Sequence, residues 1–247
     1  MNSSTKNKTV LVTGGSRGIG AAISLELGAK NFNVVVNYNR NSEEANKIVN
    51  QIISSGGTAI ALQANIANQE ECVKLFNEIE SRFGVVDILI NNAGITRDKS
   101  FKKMQLSEWD EVINTNLSSA YNTCQFVINS MIENKYGRII NISSVIGQTG
   151  GFGQTNYAAA KAGLIGFSKS LALENAKYGI TVNCICPGFI NTEMVAEMPS
   201  NVLENIKSKI PASRLGEPSD IAKGVTYLIE ASYITGQCIN INGGLYM

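Results

Sequence analysis

The sequence predicts an α/β fold: a parallel sheet with helices covering both faces. Three observations predict it. Short apolar, β-branched runs alternate with amphipathic stretches along the whole chain. A glycine-rich turn joins the first such run to the first helical stretch. Small or polar residues stand directly after four of the runs, at the carboxyl ends of strands, where open α/β sheets bind their ligands.

The elements follow in order. Thr9–Val12 is a buried strand leading into Thr13-Gly14-Gly15-Ser16-Arg17-Gly18-Ile19-Gly20, and a helix carrying Ala22, Ile23, Leu25 and Leu27 comes next. Glycines let backbone approach a pyrophosphate, and the helix N-terminus adds partial positive charge. Asn33–Asn37 is a second strand, Ser42–Ser54 a helix, Thr58–Leu62 a third strand and Asn68–Phe83 a helix. Val86–Ile90 is a fourth strand, ending in Asn91-Asn92-Ala93-Gly94. Arg97–Lys103 is basic and could attract an anionic substrate. Ser107–Glu133 reads as one long helix with Ser107 as N-cap, and Asn114 and Asn116 inside it ask for a reason, since Asn is a poor helix former. Gly137–Ile142 is a fifth strand running into Ser143-Ser144, and Ile180–Cys186 a sixth running into Pro187-Gly188. Thr192–Ile210 is helical in pattern with Pro199 interrupting, which suits a two-piece lid that, with the loop Gly147–Gln154, would be mobile without ligand. Pro218–Ile229 is a helix and Gln237–Ile241 a seventh strand. No repeat or linker interrupts the pattern, so residues 1–247 read as one domain.

Composition removes whole classes of chemistry. Lys+Arg number 21 and Asp+Glu 20, a net charge of +1, so there is no electrostatic footprint for nucleic acid or a membrane surface. No apolar run approaches the ~20 residues of a membrane span, and Met1–Lys8 lacks the apolar core of a signal peptide, which predicts a cytoplasmic protein. The absence of histidine excludes histidine triads and histidine metal ligands. The five cysteines form no Cys-x-x-Cys pair; Cys184 and Cys186 read as small core residues, and no metal is expected.

What remains is a phenol, an amine and a hydroxyl. Tyr157 and Lys161 stand four residues apart, so a helix puts them on one face. An ammonium beside a phenol lowers its pKa toward working pH, where a general acid is most useful. A hydroxyl such as that of Ser144 can hydrogen-bond a carbonyl oxygen that receives the proton. Past the second strand, Asn37-Tyr38-Asn39-Arg40 holds none of the acids that grip a ribose 2′-hydroxyl, whereas Arg17 and Arg40 can pair with a 2′-phosphate. NADP(H) is therefore inferred over NAD.

Taken in order, Thr13-Gly14 to Gly20, Asn91 to Gly94, Asn116, Ser144, Tyr157 and Lys161, and Pro187-Gly188 resemble the motifs of the short-chain dehydrogenase/reductase family. The resemblance covers essentially the whole chain. It implies a Rossmann-type doubly wound sheet of seven parallel strands in the order 3-2-1-4-5-6-7, assembled as a homotetramer. It implies that Tyr157 is the acid, that Ser144 holds the substrate carbonyl, and that Lys161 binds the nicotinamide ribose and depresses the Tyr157 pKa. Asn116 would position a water in a proton relay. The cofactor set it implies is Gly14, Ser16, Arg17, Gly18, Ile19, Gly20, Arg40, Asn65, Asn92, Ala93, Gly94, Tyr157, Lys161, Pro187, Gly188, Ile190 and Thr192. Asn65 departs from the aspartate usual near the adenine.

Within the family, Asn91 to Asp98 and Asn242-Gly243-Gly244-Leu245-Tyr246-Met247 look like 3-oxoacyl thioester reductases. Gly151 to Tyr157 and Ser100 to Met104 look like the branch that reduces acetoacetyl-CoA in polyhydroxybutyrate synthesis, and this branch is favoured. The alternative branch reduces 3-oxoacyl chains on acyl carrier protein in fatty-acid synthesis. It tends to carry a basic residue near Tyr178 for docking, and Lys135 and Lys177 keep it open. Phe152 and Gln154 are candidates to line the acyl pocket. The same machinery would serve a sugar or steroid ketone. A dinucleotide-binding sensor without turnover is the rival from another class, and the presence of all four catalytic residue types argues against it.

Overall fold

The computed structural model describes residues 7–196 and 200–247. Seven strands form it: β1 Thr9–Val12, β2 Asn33–Tyr38, β3 Thr58–Gln63, β4 Ile88–Asn91, β5 Gly137–Ile142, β6 Ile180–Pro187 and β7 Cys238–Ile241. They make one sheet, all pairs parallel, in the order β3-β2-β1-β4-β5-β6-β7. The fold class and strand order implied by the motifs are those observed.

The two-residue period of the strands divides the core between two faces. Val10 and Val12 look one way with Ile88, Ile90, Ile140 and Ile185, toward α1 (Gly18–Gly28), α2 (Ser42–Ser54) and, later in the chain, the helix Pro218–Glu230. Leu11, Leu89, Ile139 and Val182 look the other way, toward α3 (Gln69–Phe83) and the helices that follow β4 and β5. Strands β1, β4, β5 and β6 are buried along their whole length. They are rich in apolar residues because neither face meets water, with Arg138, Asn141 and Asn183 as buried polar exceptions in β5 and β6.

Helix starts follow side-chain chemistry. Asn41 accepts the Glu44 N–H at 3.2 Å and Asn68 the Glu71 N–H at 3.1 Å, capping α2 and α3. The next helix begins earlier than expected: α4 spans Leu106–Ile113, because the Glu108 carboxylate reaches back to the Gln105 N–H at 2.9 Å. Gln105, not Ser107, is the N-cap. The expected single helix is a course of three pieces: α4, a π-helical turn over Asn114–Ser118, and α5 over Ser119–Glu133. The two asparagines that looked out of place sit in that turn.

Beyond β5, α6 (Ile146–Thr149) packs on α7 (Thr155–Asn175). The approach is so close that a Cβ on Gly147 would stand 2.8 Å from the Lys161 carbonyl carbon. Gly163 likewise lets α7 rest on Leu117 of the π turn. The remaining helices are α8 Glu193–Ala196, α9 Ser200–Lys209 and α10 Pro218–Glu230. The segment expected to form a lid holds α8 and α9, while its interruption at Pro199 lies outside the described residues. Among the described residues no helix is long and apolar enough to cross a membrane.

Candidate active site

The glycine loop follows β1 and is shaped for backbone contact. Gly14 and Gly18 have φ of 60° and 52°, the left-handed region that favours glycine. A Cβ on Gly20 would collide with the Gly14 carbonyl oxygen. Helix α1 then starts at Gly18 with no side chain capping it and no acid in its first turn. Uncapped leading N–H groups at a helix N-terminus suit an anion. A dinucleotide pyrophosphate fits that cradle. Thr192 closes over it, its Cγ2 within 3.4 Å of where a Gly18 Cβ would be.

The loop after β4 is tied to the glycine loop. Thr13, fully buried, accepts the N–H groups of Asn92 at 3.0 Å and Ala93 at 3.1 Å. Asn92 Nδ2 donates to the Thr13 and Gly14 carbonyls at 3.0 and 3.1 Å. Thr13 was not among the predicted site residues; a hydroxyl ending an otherwise apolar run was its signal. On the far side, Asn116 holds the same loop: Oδ1 accepts the Ile95 N–H and Nδ2 donates to the Ile95 carbonyl, both at 2.8 Å. The π turn presents that amide, and one N–H and one lone pair remain for any water it would position. Gly94 sits between Asn116 and Lys161, its Cβ position 3.4 Å from Asn116 Oδ1 and 3.6 Å from Lys161 Nζ.

The N-terminus of α7 brings the remaining groups together. Asn156, fully buried and unremarked in the sequence, accepts the Tyr157 N–H at 2.8 Å. Its Nδ2 donates to the Arg97 and Glu108 carbonyls at 3.2 and 3.3 Å, anchoring the helix start to the loop before α4 and to α4 itself. Tyr157 is half-buried, and the Lys161 Nζ stands 5.7 Å from its ring centroid. Lys161 is buried and donates to the Ile142 carbonyl at 2.7 Å. Ser144 ends β5 nearby and accepts the Ile146 N–H at 3.1 Å. So the phenol, the ammonium and the hydroxyl share one rim of the sheet with the dinucleotide cradle.

Electrostatics corrects one expectation. Burial raises the Tyr157 pKa above its ordinary value, and Ser144 opposes this only in part. Lys161, lowered by its own burial to about 8 and with its ammonium directed at a carbonyl, does not reverse that rise in the free protein. At neutral pH the phenol therefore keeps its proton.

Other candidate residues fall variously. Arg17 and Arg40 are exposed and make no ion pair among the described residues. Asn65 folds back on its own loop, accepting the Ala67 N–H at 3.1 Å. The Ile190 side chain is core, packed toward α10, and its backbone bridges to Gly216. Gly188 joins the end of β6 to β7 by donating to the Ile241 carbonyl at 3.0 Å, beside Pro187. Phe152 is a correction. It is 98% exposed, because Gly150 and Gly153 at φ of 74° and 77° turn the loop outward. Gln154, half-buried, donates to the exposed Asp98 at 2.9 Å. In the basic segment Glu111 pairs with Arg97 and Glu108 with Lys99, while Lys102 and Lys103 stay exposed. Among the described residues no cluster of three or more potential ligands could hold a metal ion.

Comparison with known proteins agrees with this geometry. The short chain dehydrogenase family matches residues 8–202. A 3-oxoacyl-acyl carrier protein reductase of Staphylococcus aureus is 46% identical over 97% of this chain and 98% of its own. An acetoacetyl-CoA reductase of Shinella zoogloeoides is 47% identical over 97% and 99%. A 3-oxoacyl-acyl carrier protein reductase of Haemophilus influenzae is 46% identical over 98% and 99%. With a family match over most of its length and relatives this similar from end to end, the chain belongs to the short-chain dehydrogenase family and is an oxidoreductase of the ketone–alcohol kind.

Proposed function

We propose that the protein reduces a 3-oxoacyl thioester with NADPH, acetoacetyl-CoA to (R)-3-hydroxybutanoyl-CoA being the favoured reaction. The observation that carries the reading is the meeting of Tyr157, Lys161 and Ser144 at the rim that also holds the glycine cradle. NADPH, when bound, supplies the hydride for the 3-carbonyl carbon. Ser144 offers its hydroxyl proton to the carbonyl oxygen. Tyr157 then gives its phenolic proton to the developing alkoxide. The raised Tyr157 pKa suits this direction, because the acid is fully loaded at neutral pH. Lys161 supplies positive charge beside the phenoxide that results and, by the family's pattern, holds the nicotinamide ribose. Asn116 keeps the Asn92–Ile95 loop in register with that site. Arg17 and Arg40 pair with the 2′-phosphate, the basis for NADP over NAD.

Lys102 and Lys103 favour coenzyme A. They are exposed cations on the turn Phe101–Lys103, and the Lys99 N–H donates to the Gly153 carbonyl at 2.8 Å, which ties that turn to the loop before Tyr157. The phosphates of coenzyme A suit such cations. Lys177, by contrast, follows the end of α7, ~30 Å along the helix from Tyr157 within one chain. There it lies over the Tyr178 ring, 4.9 Å from its centroid. Acyl carrier protein remains the second reading, because two of the relatives above carry that name. The proposal extends to a homotetramer in the cytoplasm, with which the reaction is compatible and which it does not require.

The test is a side-by-side rate measurement on acetoacetyl-CoA and acetoacetyl-acyl carrier protein, each with NADPH and with NADH. The proposal expects the higher kcat/KM with acetoacetyl-CoA and NADPH. A higher value on the carrier protein transfers the assignment to fatty-acid synthesis. No turnover of either thioester sinks the reading.

A further inference from the structure

Three of the five cysteines meet at the seam between β6 and β7. Cys184 and Cys238 are register partners, and Cys186 is two residues further along β6. Their side chains therefore leave the sheet on one side. Cys184 is engaged in the core, its Sγ 3.1 Å from Ser168 Oγ and 3.7 Å from the Leu164 carbonyl. Cys186 and Cys238 face each other with their sulfurs 2.9 Å apart. Gln148 Nε2 donates to the Cys238 sulfur at 3.6 Å. Cys186 is fully buried, while Cys238 opens β7 at the edge of the sheet and is part-exposed. The chemistry proposed above uses neither thiol.

We propose that Cys238 and Cys186 form a peroxide-sensitive pair: a hydroperoxide oxidises Cys238, and Cys186 resolves it into an intrachain disulfide across β6 and β7. The environment selects the site. The hydrogen bond shared with Cys186, helped by the Lys169 ammonium, holds the Cys238 thiol below its ordinary pKa. Burial pushes Cys72 up to about 11 and Cys124 and Cys184 up to about 12. Thiolate, exposure and a neighbouring resolving thiol are what make a cysteine oxidise selectively.

The steps balance. The Cys238 thiolate attacks one peroxide oxygen, the O–O bond breaks, and with one proton taken up a sulfenic acid and water (or an alcohol) leave. The Cys186 thiol then attacks the sulfenic sulfur, the S–O bond breaks, and water carries away its oxygen. Two thiols lose two electrons and one peroxide gains them. The sulfurs need to approach by roughly 0.9 Å to reach an S–S bond of ~2.03 Å. A dithiol should reopen the bridge by thiol–disulfide exchange. Its position matters because Cys186 precedes Pro187, whose carbonyl accepts the Val145 N–H at 2.9 Å beside Ser144.

The test treats the reduced full-length protein with hydrogen peroxide, quenches with iodoacetamide and measures intact mass and linked peptides. The expected result is a chain lighter by two hydrogens, with two of its five thiols unalkylated and Cys186 joined to Cys238, reversed by dithiothreitol. Cys238→Ser should abolish the loss, Cys186→Ser should leave a sulfenic acid that dimedone traps, and Cys184→Ser should change nothing. Linkage through Cys184, a dimer of chains, or oxidation of Cys238 no faster than of Cys72 and Cys124 would overturn the proposal. The readout is mass and needs no turnover, so it fails or succeeds apart from the thioester assignment.

Discussion

Lys161 should make the free protein pay in stability at neutral pH for a charge that catalysis needs. Its pKa falls from 10.5 to about 8, chiefly through burial. The sign follows from proton counting. The native pKa lies below the unfolded one, so between about 8 and 10.5 the unfolded chain binds more protons and stability rises with pH. Below that window both states are protonated, and the native state carries the full penalty of about 3 kcal/mol, from ~1.4 kcal/mol per pKa unit. Lys161→Met removes the titration. It also leaves the Ile142 carbonyl without its donor, a cost that does not vary with pH. The two effects separate if urea unfolding is measured for wild type and variant at pH 7, 8, 9 and 10. Wild type should gain on the variant by about 2–3 kcal/mol across that range, most of it above pH 8, where other titrating groups cancel. A difference that stays constant with pH would refute the account of a charge confined by burial.

Other consequences are as direct. Gly20→Ala places a Cβ against the Gly14 carbonyl and should abolish NADPH binding, read by nucleotide fluorescence, while the rest of the sheet still folds. Thr13→Val removes the acceptor of the Asn92 and Ala93 N–H groups and should raise the NADPH Kd by about tenfold, from ~1–3 kcal/mol for buried donors left unpaired. Arg17→Ala and Arg40→Ala should each lower the NADPH-over-NADH preference by roughly tenfold or more, the worth of a charge-assisted hydrogen bond of ~1.5–3 kcal/mol, with NADH kinetics little changed. A preference unmoved by both would remove the 2′-phosphate assignment.

Much of this was legible in the sequence because strand and loop chemistry is local. Val10 to Val12 followed by glycines announces a buried parallel strand and a phosphate loop without any tertiary knowledge. Asn114 and Asn116 are out of place in an ordinary helix, and the π turn explains them, but no propensity predicts that a helix will widen there. Tertiary context decided what was missed. Asn156 looks like one more polar residue beside Tyr157, yet folding buries it completely as the anchor of α7. Phe152 reads as a pocket residue by its neighbours in sequence, and the handedness of two glycines turns it to solvent. The basic run near Arg97 lost half its charge to Glu108 and Glu111, which lie a helix away. The direction of the Tyr157 pKa failed for the same reason: spacing puts Lys161 on the right face, but burial, which spacing does not report, outweighs the pair.

The central claim is that the Tyr157 phenol delivers the proton that completes carbonyl reduction. Single-turnover oxidation of bound NADPH by acetoacetyl-CoA tests it, comparing wild type with Tyr157→Phe after nucleotide binding has been shown equal. The account predicts a chemical step slower by ~10²–10⁴-fold in the variant. Equal rates in the two proteins would contradict it.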